Sequence, residues 1–84
     1  GEFVLKEINI RYFALLREDA KKDQEEYRTK AKSAYDLYQE LKNMYHFFLS
    51  ADQVKVSVNE KFEKMDYVLQ SGDRVVFIPP VAGG

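Results

Sequence analysis

A continuous apolar run near the end of the sequence constrains the fold more than any other feature. Val75–Ile78 contains only apolar residues, which is typical of a strand that is buried on both faces. Pro79 and Pro80 follow at once, and because proline has no N–H to donate to a β-ladder, the strand is expected to end there. Val81, Ala82 and the Gly83–Gly84 pair complete the sequence. The pattern predicts a central strand that continues into a narrow, flexible tail over residues 79–84.

Size and composition predict one folded domain over residues 1–84, with 45% hydrophobic residues and a net charge of -1. This charge gives no electrostatic footprint for nucleic acid, and no run approaches the ~20 apolar residues that span a bilayer. The absence of cysteine excludes disulfides and thiolate metal sites. We expect a cytoplasmic protein with no nucleic-acid, membrane or metal partner. Residues 1–3 do not fit the pattern that follows, and we expect them to derive from an expression vector.

Alternating segments predict two strands in the first third of the chain. Val4–Tyr12 is the first, with Ile8, Ile10 and Tyr12 on its buried face. A short helical turn at residues 14–18 and a polar loop at residues 19–24 are expected to follow. Residues 25–31 alternate again, with charge at every outward position, which favours an edge strand that runs antiparallel to the first.

Ser33 begins the clearest helix, because its hydroxyl can cap the first turn and Asp36 stands three residues further on. Apolar residues then recur at helical spacing and predict one stripe packed on a core. The stripe contains Ala34, Leu37, Tyr38, Leu41, Met44 and Tyr45. The pattern fades in residues 46–49, and His46, the only histidine, is interpreted as an ordinary helix-end residue.

The second half of the chain predicts three more strands and three turns. A strictly alternating strand is expected at Val54–Val58, a turn at residues 59–61 and a short returning strand at Phe62–Met65. A helical turn at residues 66–69 and a glycine-containing turn at residues 71–73 should lead into the last strand.

This order of elements predicts an α+β fold. We expect a mixed sheet of four to five strands with one main helix across one face, a ubiquitin-like β-grasp roll. The most apolar strand should be central and parallel to the first strand, so that the tail leaves from a rigid root.

The chain resembles the small, sulfur-carrying subunits of molybdopterin synthase over Leu5 to Gly84. The most specific block of the resemblance is the last one, because related carriers of the thiamine pathway generally lack its double proline. The blocks that carry the resemblance are residues 12–14, 17–18, 58–59, 69–75 and 77–84.

The resemblance implies a chemistry for the tail. An E1-like enzyme would use ATP to adenylate the carboxylate of Gly84, and a persulfide-forming sulfur donor would convert the product to a thiocarboxylate. The tail would then enter the large subunit of a heterotetrameric synthase and give dithiolene sulfur to cyclic pyranopterin monophosphate. The residues that thread into the large subunit would be Pro79, Pro80, Val81, Ala82 and Gly83. The chain itself would bind no cofactor and would not be an enzyme on its own.

The resemblance also places the partner interface on the sheet face that the helix leaves open. Phe13 is out of phase with the buried residues of the first strand, and the resemblance places Phe62 and Ile78 near it. An exposed apolar patch of this kind usually marks a partner site. The alternative is that all three residues belong to the core.

Other functions remain open at this level. The chain could be a ubiquitin-like modifier whose Gly84 forms isopeptide bonds, or a sulfur carrier for thiamine synthesis or tRNA thiolation. It could also be an interaction module with an inert tail. A conventional enzyme is the least expected, since no histidine–carboxylate pair, phosphate loop or metal-ligand cluster is evident.

Overall fold

The computed structural model describes residues 5–80 of the chain and contains five strands and two α-helices within that range. The elements are β1 (Lys6–Tyr12), α1 (Ala14–Ala20), β2 (Gln24–Thr29), α2 (Ala34–Tyr45), a 3-10 helix (Ala51–Gln53), β3 (Lys55–Val58), β4 (Lys61–Glu63) and β5 (Arg74–Ile78). Neither α-helix is long and apolar enough, within this range, to cross a lipid bilayer.

The strands form one mixed sheet in the order β2-β1-β5-β3-β4. β5 is central and runs parallel to β1, while the other neighbouring pairs are antiparallel. β2 lies at one edge, where its outward charges hinder pairing with another sheet. The predicted α+β fold, the central last strand and the edge position of β2 are all confirmed.

One face of the sheet, called here the covered face, packs against α2. Ile8, Ile10 and Tyr12 of β1 are buried there, as predicted, together with Val75 and Phe77 of β5. The Tyr38 ring of α2 meets the Phe77 ring edge-on, with the ring centroids 5.2 Å apart. The opposite face carries no helix among the described residues and is called the open face.

The start of α2 confirms the predicted cap, since Ser33 Oγ accepts a hydrogen bond from the Asp36 N–H at 3.1 Å. Met44 does not belong to the buried stripe, because its side chain is 47% exposed. The fully buried part of the stripe ends at Leu41, and Met44 lies beyond it in the last turn of the helix. The helix ends at Tyr45, and the next residue, His46, adopts a left-handed conformation with φ 60°.

Val75–Ile78 is not buried on both faces, which corrects the first prediction. Val75 and Phe77 are fully buried on the covered face, but Val76 and Ile78 on the open face are only half-buried. The continuous apolar run therefore serves two surfaces: a core on one side and an accessible apolar strip on the other.

Several local predictions were wrong. α1 continues to Ala20 and buries Leu16 and Ala20, which lie four residues apart on one helix face, so the predicted polar loop begins later. No helical turn forms at residues 66–69. Val68 instead makes a β-bridge with Ser33, and the Leu69 N–H donates to the Lys32 carbonyl.

Two strands also have bounds that differ from the prediction. β2 covers Gln24–Thr29, rather than residues 25–31, and β4 covers Lys61–Glu63, rather than Phe62–Met65. The 3-10 helix at Ala51–Gln53 was not predicted, although Ser50 and Gln53 form a capping box around it. A single turn of this kind has no hydrophobic period to reveal it.

Candidate functional site

The root of the predicted tail lies between two surface grooves. Pro79 is half-buried and Pro80 is exposed, directly after the end of the central strand β5. Both prolines and Ile78 line each groove, so this short segment forms the wall between them. The remaining predicted tail residues, Val81, Ala82, Gly83 and Gly84, lie outside the described residues.

The groove on the α1 side, called the α1 groove, is almost entirely apolar and has a volume of about 660 Å³. Its lining adds Phe13, Ala14, Leu15 and Leu49 to the shared wall. The sequence prediction missed Leu15 and Leu49. The doubled leucine at positions 15 and 16 was the available signal, because a helix can bury only one of two adjacent side chains on a single face.

The groove on the β4 side, called the β4 groove, is larger, at about 890 Å³, and mixes apolar with charged residues. Phe62 and Tyr67 supply aromatic rings opposite the shared wall. The charged residues of the lining are Lys55, Glu63, Lys64 and Asp66. Sequence reasoning did not find them, because a charged residue in a short strand or loop is usually only a solvated surface residue.

The three residues predicted for the partner interface are accessible, and the two phenylalanines are not core residues. Phe13 is 44% exposed, Phe62 is 76% exposed and Ile78 is half-buried. Phe13 and Phe62 do not line a common groove, since Ile78 lies between them and contributes to both. The accessible apolar residues thus form one strip in which Ile78 separates two grooves, whereas the sequence suggested a single patch.

Phe13 is held outward by the change from strand to helix. It ends the alternation of β1 and serves as the N-cap residue of α1 in an extended conformation. Its carbonyl accepts hydrogen bonds from the N–H groups of Leu16 and Arg17, at 3.1 and 3.3 Å. Ala14 follows with φ 50, a left-handed conformation that is uncommon for a residue with a side chain. This tight junction fixes the backbone from which the Phe13 ring projects.

Phe62 is placed on the open face by its hairpin. Asn59 and Glu60 form the two-residue loop between β3 and β4, with φ 51 and 75, as a type I′ turn requires. The Asn59 side chain joins this loop to β5, because its Oδ1 accepts from the Arg74 N–H at 2.9 Å. Ser57 pairs with both Phe62 and Val76, so these three side chains share the open face.

A polar network lies away from the grooves, at the edge of the covered face. The hydroxyl groups of Tyr12 and Tyr45 donate to Glu25 Oε2 at 2.5 and 2.7 Å, and Lys22 Nζ lies 3.3 Å from Glu25 Oε1. Burial opposes ionisation of Glu25, but these hydrogen bonds outweigh it and hold the pKa of its carboxyl below the usual value. Burial, followed by the bond to Glu25, raises the pKa of Tyr12. The network joins β1, β2 and α2 and supports the fold.

The central parallel pair of strands, the single long helix across one face and the exit of the chain from the central strand define a ubiquitin-like β-grasp protein. The model of the ThiS family matches residues 10–84. The chain therefore belongs to the ThiS family and is a ubiquitin-like sulfur carrier of that type.

Several solved structures are similar to this chain in fold. The chain is 29% identical to a candidate molybdopterin converting factor subunit 1 from Pyrococcus furiosus, with a TM-score of 0.75 over 90% of this chain and 99% of that chain. It is 19% identical to the small archaeal modifier protein 1 from Methanosarcina acetivorans, with a TM-score of 0.77 over 96% of this chain and 99% of the other.

A third similar structure is a complex of subunits 1 and 2 of molybdopterin-converting factor from Helicobacter pylori. The identity is 22% and the TM-score 0.61, over 93% of this chain and 99% of that chain. At this identity the likeness concerns the fold alone. A search of curated protein sequences gives no significant match.

Proposed function

We propose that the chain is the sulfur-carrying small subunit of a molybdopterin synthase. The observation that carries the proposal is the position of Pro79 and Pro80, at the end of the central strand and between two grooves that a partner protein could fill. A tail that starts there can enter a partner while the grooves bind the partner's surface. The 29% identity to the Pyrococcus furiosus protein supports the molybdopterin pathway.

The proposed chemistry begins at the carboxylate of Gly84. A carboxylate has a pKa near ~3.5, is ionised at neutral pH and is a poor electrophile. An E1-like enzyme transfers AMP from ATP to this carboxylate and releases pyrophosphate. Sulfide equivalents from a sulfur donor then attack the acyl carbon, AMP leaves with the bonding electron pair, and a thiocarboxylate remains on Gly84.

The proposed role of the residues before Gly84 is to let that terminus reach a recessed site. Gly83 has no side chain, so a narrow channel can close around it. Pro79 and Pro80 restrict their own backbone angles, which lowers the entropy that this segment loses when it enters a partner. The large subunit would supply the reacting pocket, and this chain would supply sulfur and positioning.

The test is the intact mass of the chain after incubation with ATP, the E1-like enzyme from the same genome and a sulfide source. The expected result is a gain equal to the exchange of one oxygen for one sulfur. A variant that lacks Gly84 and a reaction without ATP serve as controls. An unchanged mass, with the enzyme active on another carrier, would contradict the proposal.

The acceptor of the sulfur in the next reaction distinguishes the alternative pathways. Adding the large subunit and cyclic pyranopterin monophosphate to the thiocarboxylate form should produce molybdopterin if the proposal is correct. Transfer of sulfur to a thiazole precursor or to tRNA instead would assign the carrier to another pathway. Stable conjugates between Gly84 and protein lysines would identify a modifier.

A further inference from the structure

The open face of the sheet carries charged side chains, and two ion pairs join some of them within the described residues. Arg28 Nε donates to Glu7 Oε2 at 3.1 Å across β2 and β1. Arg74 Nη2 donates to Glu60 Oε2 at 3.2 Å, between β5 and the β3–β4 loop. These charges therefore need no external partner.

Arg11 differs from these residues. Its position on β1 pairs with Gln24 on β2 and Val76 on β5, so its exposed side chain lies on the open face. Within residues 5–80 its guanidinium makes no hydrogen bond and no ion pair. Phe13 lines the same depression as Arg11, and Glu60, the acidic residue of that lining, is already paired with Arg74.

A structural role accounts for only part of the Arg11 side chain. Charged residues protect exposed sheet edges, but β1 lies between β2 and β5 and has no free edge. The methylene groups of an arginine can cover apolar surface such as half-buried Val76. That role needs the stem of the side chain and leaves the guanidinium, with its five N–H donors, without a function.

We propose that Arg11 is a specificity residue for protein docking on the open face. The occupant is the large subunit of the proposed function, and this inference rests on that proposal. The large subunit would present an acidic side chain to the Arg11 guanidinium, next to apolar contacts with Phe13 and Val76. A planar guanidinium bonds a carboxylate through two parallel N–H groups, so the contact fixes orientation as well as charge.

The charge on this side of the proposed contact sets a requirement for the partner surface. Around the root of the tail, the apolar strip is bordered on the β1 side by an uncompensated positive charge. A partner with a purely apolar surface would leave that charge desolvated and unpaired, which is costly. A partner with a basic surface would be repelled, so Arg11 selects for an acidic one.

The test measures binding of the chain to the molybdopterin synthase large subunit from the same genome. Titrations are made at about 0.05 M and about 0.5 M NaCl, below and above the salt at which the Debye length is ~10 Å. We expect Arg11→Glu to raise the Kd by about 10-fold or more at low salt, and by less at high salt. Arg11→Leu, which keeps an apolar stem, should raise the Kd by about threefold or more at low salt.

Lys32→Glu is the matched control, because it makes the same change in net charge at an exposed position in the loop between β2 and α2. Its Kd should stay close to that of the parent chain. Thermal unfolding of each variant checks that the fold is intact. Exchanging the opposing partner carboxylate for arginine should restore binding of Arg11→Glu.

The outcomes separate the two proposals. If the parent chain binds and Arg11→Leu binds equally well at both salt concentrations, Arg11 is not a specificity residue, while the proposed function stands. Equal losses for Arg11→Glu and Lys32→Glu would also overturn the inference, since net charge alone would explain them. If the parent chain does not bind the large subunit, both the inference and the choice of synthase are wrong.

Discussion

The covered and open faces of the sheet alternate residue by residue along β5. Val75 and Phe77 are completely buried against α2, whereas Val76 and Ile78 remain half-accessible beside the tail root. All four side chains are apolar, so hydrophobicity alone does not distinguish them. The difference lies in what covers each face, since a helix of the same chain packs on one and no described element packs on the other. Substitutions only one residue apart should therefore separate stability from binding.

Polar groups follow the same division. Glu25, at the edge of the covered face, accepts from two tyrosine hydroxyls and lies beside Lys22. Glu7, on the open face, forms a single pair with Arg28, and their side chains are 58% and 70% exposed. A partly buried, multiply bonded carboxylate contributes more to folding than an exposed ion pair.

The largest expected effect comes from Phe77→Ala. Removing this ring from the core should lower the free energy of unfolding by about 3–5 kcal/mol. Ile78→Ala, one residue away on the open face, should cost less than about 2 kcal/mol, because its side chain is already half-accessible. Urea denaturation of both variants gives the measurement. Equal losses at the two positions would mean that the open face is as important for stability as the core.

Glu25→Gln should have the next largest effect, about 1–3 kcal/mol at neutral pH, because it removes an ionised acceptor from three hydrogen-bond donors. The pKa of Glu25 is lower in the folded protein than its unfolded value near ~4.3. Its stabilisation is therefore complete above that value and is lost as the pH falls through the lowered pKa. Urea denaturation at several pH values should show the parent and variant converging in acid.

Glu7→Gln is the matched control on the open face. Its pair with Arg28 is exposed, so the loss at neutral pH should stay within about 0.5 kcal/mol. If Glu7→Gln cost as much as Glu25→Gln, the proposed difference between the two faces would not hold for polar groups.

Ser33→Ala tests the helix that creates the covered face. The Ser33 hydroxyl caps the first turn of α2, and its loss should lower the free energy of unfolding by about 1 kcal/mol. Ser33→Asp, which keeps an acceptor at the cap, should restore most of this loss in the same denaturation experiment. If alanine and aspartate behaved alike, the hydrogen bond to the Asp36 N–H would have no measurable role in stability.

The sequence was sufficient for the features that depend on periodicity. Alternation in β1, the apolar stripe of α2 and the run in β5 all predicted the correct type of element. The periodic signal failed at two positions. Met44 continues the apolar stripe of α2 but is exposed, and Val76 is apolar but faces the open side of the sheet. A pattern gives the direction of a side chain but not the presence of a second layer above it.

The grooves at the tail root could be predicted only in part. Phe13 was found because it breaks the phase of β1, a local signal in the sequence. Leu49 could not be found, because the connection after α2 brings it to the tail root through long-range packing that no local pattern encodes. Val68 was also assigned wrongly, since its bridge to Ser33 depends on a contact between distant segments.

Phe62→Ala should have the smallest effect on stability and still weaken partner binding. Its ring is 76% exposed, so the free energy of unfolding should change by no more than about 0.5 kcal/mol. An exposed aromatic ring that a partner buries commonly contributes more than about 1 kcal/mol to binding. We therefore expect the Kd for the large subunit of the proposed synthase to rise by about fivefold or more, as measured by calorimetric titration.

Phe13→Ala extends this last comparison to the α1 groove. We expect it to weaken partner binding more than it weakens folding, although its lower exposure predicts a larger loss of stability than at Phe62. Because the two rings line different grooves on either side of Ile78, their binding losses should add in the double variant. A partner that occupies one groove would respond to only one of the substitutions. Loss of stability equal to loss of binding at either ring would mean that the ring supports the fold rather than a partner interface.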